Sequence, residues 1–253
     1  MKTYGRLCTQ FYDLDKTDKR AQREIAFYLN YAREAAGLVL EPMCGTGRIL
    51  LPLLEAGILI EGFDASTEML AALKTKYAAK SQDEPPVWQQ YVQDFSSKKR
   101  YALMFIPFGS WGLILDPQHR VEGLRALYAH LAPGGKLVME IDMEASELEP
   151  KVNPLDKAHT RADGSIIALR LLSAYDVSSQ RYSVQCSYID FGPQMQVRST
   201  ERELLEQHLF RPGEMEKMFS DVGFSAVKRY TSYHKTPVVN ESTALQIIYE
   251  CTK

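Results

Sequence analysis

The sequence predicts an α/β chain: a mostly parallel sheet with helices on both faces, an N-terminal helical cap and a small antiparallel β insertion. Three observations carry this. Short apolar runs alternate with helical stretches between residues 37 and 142, the rhythm of consecutive βαβ units. The first of those strands runs into a glycine turn, CGTG at 44–47, and then into a helix. Past residue 144 the alternation stops, and three β-like runs follow one another with only turn residues between them.

Taken in order, residues 19–36 place Ile25, Leu29 and Ala32 at helical spacing, with Gly37 as the stop. The strand LVLE (38–41) leads to the glycine turn and the helix RILLPLLEAG. A second strand is expected at 58–64, a helix from Ser66 to Ala79, a third strand at 87–94 and a fourth at 101–108. A helix over 119–131 and the turn PGG (133–135) precede a fifth strand at 136–142. Residues 145–164 carry charges and prolines without apolar periodicity and read as a connector. The β-like runs SIIALRLLSAY, RYSVQCSYIDF and MQVRSTERE then form the insertion. A helix over 212–224 returns the chain to two last strands. The expected organisation is a cap at 1–36, an α/β core at 37–145, the connector and insertion at 146–205, and the rest of the core at 206–253.

At 253 residues the chain is long enough for one large domain with a substantial core. Thirty Lys and Arg against 32 Asp and Glu leave a formal charge of -2, so no global cationic field exists to attract nucleic acid or a membrane surface. Cys8, Cys44, Cys186 and Cys251 form no CxxC pair, which argues against a zinc site or a disulfide framework and leads us to expect no metal. The N-terminus has no signal-like apolar stretch and no run approaches the ~18 apolar residues of a membrane span, so the expected compartment is the cytoplasm.

The chemistry concentrates in VLEPMCGTGR, residues 39–48. An acid at a strand end, followed by Gly45 and Gly47, makes a tight turn whose backbone a ligand can approach, at the carboxyl end of a strand, where an open parallel sheet binds its ligands. A nicotinamide dinucleotide turn, G-x-G-x-x-G or G-x-G-x-x-A, needs a small residue where Leu50 stands. The stretch resembles the first motif of the class I S-adenosylmethionine-dependent methyltransferases, acid-x-G-x-G-x-G. Glu41 takes the place of the acid, Gly45 and Gly47 match two glycines, and Met43 replaces the first one.

The resemblance continues along the chain and implies a Rossmann-like seven-stranded fold. Asp64, 23 residues after Glu41, stands where the family has the acid that holds both ribose hydroxyls, a task suited to a carboxylate with two acceptor oxygens. Its simpler reading is a helix N-cap. Ala65 and Met69 follow in the family's usual helix start. Asp94 and Phe95 take the place of the acid and ring beside the adenine, Ile106 ends the fourth strand, and HLAPGGKLVME resembles the entry to the fifth. The cofactor implied is S-adenosyl-L-methionine.

Within the family, Ile106-Pro107-Phe108 stands where amino-directed nucleic-acid methyltransferases carry N/D/S-P-P-Y/F. The region looks more like small-molecule N-methyltransferases, such as amino-sugar N,N-dimethyltransferases and relatives of glycine N-methyltransferase. Phe108, Ser110 and Trp111 are the implied substrate wall, the two aromatics serving equally well as core. FYDLDK (11–16) resembles a segment that folds over the cofactor pocket and offers Tyr12 to cofactor or acceptor. Arg48 suits an ion pair with a neighbouring acid. An amine or hydroxyl acceptor also needs a base, for which His208 and His234 are candidates through their near-neutral pKa.

The expectation is therefore methyl transfer to N or O of a small molecule, with no membrane partner and nucleic acid disfavoured. A homodimer through the edges of the insertion is a further expectation. Three alternatives stay open: a nucleic-acid or protein methyltransferase, a non-catalytic cofactor-binding or interaction module, and a dehydrogenase.

Overall fold

The computed structural model describes residues 4–15, 19–144, 153–240 and 244–253. Its helices are α1 (Arg6–Asp15), α2 (Lys19–Glu34), α3 (Leu50–Glu55), α4 (Thr67–Ala78), α5 (Pro117–His130) and α6 (Glu214–Val222). The strands of the main sheet are β1 (Val39–Pro42), β2 (Ile60–Asp64), β3 (Val87–Gln89), β4 (Tyr101–Ile106), β5 (Leu131–Asp142), β10 (Ala226–Tyr230) and β11 (Gln246–Thr252). The insertion holds β6 (Asn153–Thr160), β7 (Ile166–Asp176), β8 (Arg181–Phe191) and β9 (Val197–His208).

The seven strands lie in the order β10-β11-β5-β4-β1-β2-β3. All neighbours are parallel except β11, which runs against both β5 and β10. β1 is buried along its whole length, as expected of a central strand covered on both faces. On one face Phe27, Tyr28 and Tyr31 of α2 pack with Leu50 and Leu53 of α3. On the other, Leu124 and Leu127 of α5 pack with Met215 and Phe219 of α6. Each such side chain taken out of water contributes roughly 1.5–3 kcal/mol before entropy is counted.

Local chemistry sets the helix starts. The Ser66 hydroxyl accepts the Met69 N–H at 3.2 Å to cap α4. Asp116 accepts the Gln118 N–H at 2.8 Å to cap α5, with Pro117 in its first turn.

Three elements depart from the sequence expectation. The third strand stops at Gln89 and gives way to a 3-10 turn at Val92–Asp94, because β3 is an edge strand whose later residues have no outer partner. The fifth strand begins at Leu131, ahead of the PGG turn, across a register shift against β4. Part of the expected connector is a strand: β6 pairs antiparallel with β7 from Asn153 to Thr160. The insertion is thus four-stranded, in the order β6-β7-β8-β9. Little in NPLDKAHT favours a strand; the ladder to β7 imposes it, and Pro154 is tolerated because β6 is an edge.

The insertion touches the rest of the molecule through α1 and through the end of β9, where Gln207 donates to the Gly109 carbonyl at 3.3 Å. Leu7, Cys8 and Phe11 pack against Ile167, Leu169, Cys186 and Tyr188 of the inserted sheet. All four cysteines are buried and free. Among the described residues no helix is long and apolar enough to cross a membrane.

Candidate active site

The carboxyl ends of β1, β2, β4 and β5, the helix α1 and one face of the insertion enclose a cavity of about 1120 Å³. Its floor is the β1 turn. Glu41 is 2% exposed and its Oε2 has no hydrogen-bond partner. Burial pushes its carboxyl well above the usual range, with Arg48 opposing. Met43 follows with φ of +59°, then Gly45 at +54° and Gly47 at +76°. A left-handed turn of this kind is the setting in which glycine replaces a side chain at no steric cost, and Met43 adopts it nonetheless.

Asp64 joins this turn to the next strand. Its Oδ2 accepts the Gly45 N–H and its Oδ1 the Ser66 N–H, both at 2.8 Å. Burial raises its pKa while these backbone donors lower it. Ser66 rather than Asp64 caps α4, so the N-cap reading of Asp64 does not apply. Ala65 and Met69 line the cavity beside it.

A cluster of rings and charges closes one side. Arg48 is held by both carboxylate oxygens of buried Glu24, and its Nε lies 3.3 Å from the Tyr12 hydroxyl. The guanidinium sits 5.2 Å from the centroid of Phe108, against which Tyr12 packs edge-on at 6.4 Å. Asp13, next along α1, accepts from Thr46 of the glycine turn at 2.6 Å and from Lys76 of α4 at 2.8 Å. These bonds fix α1 over the cavity, with Tyr12 facing into it.

At the end of β4 the chain turns through Phe108 at φ +60° and Gly109 at +66°. Phe108 and Ser110 line the cavity. The insertion supplies a largely apolar wall that includes Leu169, Leu171, Val184 and Leu205.

Several residues singled out from the sequence lie elsewhere. Asp94 is exposed at the end of the 3-10 turn, and Gln90, Tyr91, Val92 and Gln93 line the cavity in its stead. Phe95 is stacked on Phe63 at 5.0 Å in the core behind the wall. The strand ends at Gln89 and the 3-10 turn over Val92–Asp94 redirects the residues that follow. Ile106 is fully buried beneath the turn that its successors make. Gly47 serves packing, because a Cβ there would come within 2.8 Å of Leu73. Trp111 is core and its ring touches the space above Gly123, so it is not a wall residue. His208 lies edge-on to Phe210 and 3.7 Å from Glu214, away from the cavity. His234 borders a separate hollow with Phe27 and Tyr31.

The sequence reading singled out neither Asp142 nor Gln207, and it preferred His208 and His234 to His119, yet these three line the cavity. Asp142 ends β5, and the rule that strand ends carry ligands could have found it. Gln207 comes from the insertion, and no signal in the sequence pairs it with β5.

A family model described as a methyltransferase domain matches residues 39–135. Its boundaries run from β1 to the turn inside β5 and include the Glu41, Gly45 and Asp64 turns. No curated protein matches the chain in sequence. Among solved structures, an S-adenosylmethionine-dependent methyltransferase from Clostridium acetobutylicum is 17% identical, with 96% of each chain covered and a TM-score of 0.77. The sugar N-methyltransferase KedS8 from Streptoalloteichus sp. is 18% identical over 100% of this chain and 95% of its own, with a TM-score of 0.77. DesVI from Streptomyces venezuelae is 17% identical over 99% of both chains, with a TM-score of 0.76. The likeness spans the cap and the insertion as well as residues 39–135, and the shared fold is Rossmann-like.

Proposed function

We propose that the chain transfers a methyl group from S-adenosylmethionine to a nitrogen or oxygen of a small molecule, leaving S-adenosylhomocysteine. The observation that carries this is the Gly45–Asp64 bond, which binds two strand-end turns into one rim beside a buried carboxylate, Glu41, whose Oε2 lacks a partner. The residues fit such a cofactor. Its ammonium would supply the donor that Glu41 lacks, and Asp64 keeps lone pairs for two ribose hydroxyls beyond its two backbone bonds.

The cofactor supplies an electrophilic methyl carbon on a sulfonium. An acceptor would need a free lone pair in line with that carbon. This chain's part is alignment and exclusion of water. α1, pinned by Asp13 and Tyr12, covers the cavity; Phe108 and Gly109 shape the edge nearest the acceptor. His119 and Asp142 both line the cavity and are the candidates to take a proton, whereas burial raises the Tyr12 hydroxyl above its ordinary pKa, with Arg48 opposing, and makes it a hydrogen-bond donor. The solved relatives include a sugar N-methyltransferase and an amino pentose methyltransferase, which supports a small acceptor. The outer strands of the insertion, β6 and β9, are where a second copy would add to form a dimer, and sedimentation of the purified chain reports that state.

Release of S-adenosylhomocysteine from S-adenosylmethionine on a panel of amines and hydroxy compounds tests the activity. Acceptor-dependent release is the expected result. Binding of the cofactor with no release on any acceptor would favour a non-catalytic module.

A further inference from the structure

The chain leaving β4 is pressed from two sides where it borders the cavity. Phe108, Gly109 and Ser110 line the space and lead into a 3-10 turn at Ser110–Leu113. A Cβ on Gly109 would lie 2.1 Å from Oδ2 of Asp142, at the end of β5. One on Gly112 would lie 2.6 Å from Cγ of Gln207 and 2.7 Å from the His208 carbonyl, at the end of β9. The turn thus sits between the core sheet and the last strand of the insertion, with no room for a side chain at either glycine.

Gln207 ties the three pieces together. Its Nε2 donates to Asp142 Oδ2 and to the Gly109 carbonyl at 3.3 Å. An amide NH2 carries two hydrogens, so one nitrogen serves two acceptors. Gln246 of β11 donates to Asp142 Oδ1 at 3.0 Å, and its own Oε1 accepts from Arg20 of α2 at 3.0 Å. Burial works against the Asp142 charge, with Gln207, Gln246 and Arg20 in its favour. Past this network the chains leaving β5 and β9 stay joined: the Phe210 N–H donates to the Asp142 carbonyl at 3.1 Å, and the Glu144 N–H to the Phe210 carbonyl at 2.8 Å. A shift of the inserted sheet would therefore reach the Phe108–Gly109 turn through Gln207. Phe108 keeps its φ of +60° against a steric cost, and such a conformation persists only where its surroundings hold it.

We propose that Gln207 is a positioning residue for methyl transfer, its amide holding the Phe108–Gly109 turn against Asp142 and so setting where an acceptor stands. This rests on the methyl-transfer reading and adds the residue through which the insertion acts on the site.

The test compares Gln207→Glu and Gln207→Leu with the wild type. Two quantities are read: hydrogen exchange over residues 107–113, and release of S-adenosylhomocysteine from S-adenosylmethionine with the fastest acceptor of the panel. Gln207→Glu keeps the shape but turns a carboxylate toward Asp142 and the Gly109 carbonyl, so three acceptors face one another until one carboxyl takes a proton. At about pH 8 its kcat should fall roughly tenfold to a hundredfold with KM nearly unchanged, the loss expected of a slightly misplaced acceptor. Exchange over 107–113 should quicken while β1 stays protected. At about pH 5.5, where the two carboxyls share a proton, both quantities should return close to those of the wild type at the same pH. Gln207→Leu has no donor at any pH and should stay impaired at both. Affinity for S-adenosylhomocysteine, read by calorimetry, should be unchanged in both variants. The proposal is overturned if either variant keeps wild-type kcat at the higher pH, if Gln207→Glu does not recover at the lower one, or if exchange over 107–113 does not change. An equal loss of affinity for S-adenosylhomocysteine would also overturn it, by placing the effect on the cofactor. If the wild type turns over no acceptor, the methyl-transfer reading falls and the role in transfer with it, and exchange over 107–113 still decides whether Gln207 holds the turn.

Discussion

Tyr4, Met43 and Phe108 are non-glycine residues of the cavity lining that sit in the left-handed region, at φ +62°, +59° and +60°. Each conformation costs about 1–2 kcal/mol for an L-residue, and packing around the site must hold it. The Met43 position is where the motif usually has glycine, so the departure visible in the sequence becomes backbone strain in the structure. Arg48 was legible as an ion-pairing residue, but its partner was not: Glu24 comes from α2, and only the tertiary fold brings it to the glycine turn. Glu24 is 1% exposed, which makes the pair sensitive to loss of one member. Glu24→Gln should lower unfolding free energy by about 3–5 kcal/mol, since it strands a buried guanidinium. Chemical denaturation measures this, and a loss below about 1 kcal/mol would mean that Arg48 finds another partner in Tyr12 and Glu41.

α1 shows how one element depends on another that the sequence does not connect to it. The first N–H groups of a helix lack internal partners and favour negative charge. Here Glu203 accepts the Gly5 N–H, and Glu201 accepts the Leu7 N–H at 2.7 Å. Residues 201 and 203 share one face of β9, so the inserted sheet caps the helix that roofs the cavity. Replacing both with Gln should weaken the docking of α1 by about 1–2 kcal/mol. Hydrogen exchange should then rise in residues 6–15 while β1 and β4 stay protected, whereas unchanged exchange over 6–15 would show that Leu7 and Phe11 hold the helix without the charges. The helical N-terminal cap and the antiparallel insertion were both expected from sequence. The β6 strand was not, because its residues have no strand periodicity of their own and take their conformation from β7.

Across the whole molecule, α2 is packed on the sheet through a buried carboxylate that links it to β5 and to the loop after β10. Glu140 accepts from Tyr28 at 2.8 Å and from Tyr233 at 3.0 Å. Burial and then the nearby Glu24 push its carboxyl up from 4.5 to about 7, against the pull of the two tyrosines. A folded-state pKa raised above the unfolded one gives stability that is full below the unfolded pKa and is lost as pH rises through the folded one. The window therefore runs from about pH 4.5 to about 7. In Glu140→Gln the fall in stability between pH 5 and 8 should shrink by roughly 1–3 kcal/mol. An identical pH profile for wild type and variant would show that Glu140 is ionised throughout.

The sequence made the cofactor half of the site legible because strand, glycine turn and acid occur together at fixed spacing. The rest of the cavity was not legible: Asp142, Gln207 and His119 line it from β5, β9 and α5, which are distant in sequence. Calorimetric titration of S-adenosylhomocysteine into the wild type and into Asp64→Ala tests the central claim, that the Glu41–Gly45–Asp64 rim holds this cofactor. The account predicts a binding isotherm for the wild type and at least about a tenfold weaker one for the variant. No binding by the wild type, or equal affinity in both, would contradict it.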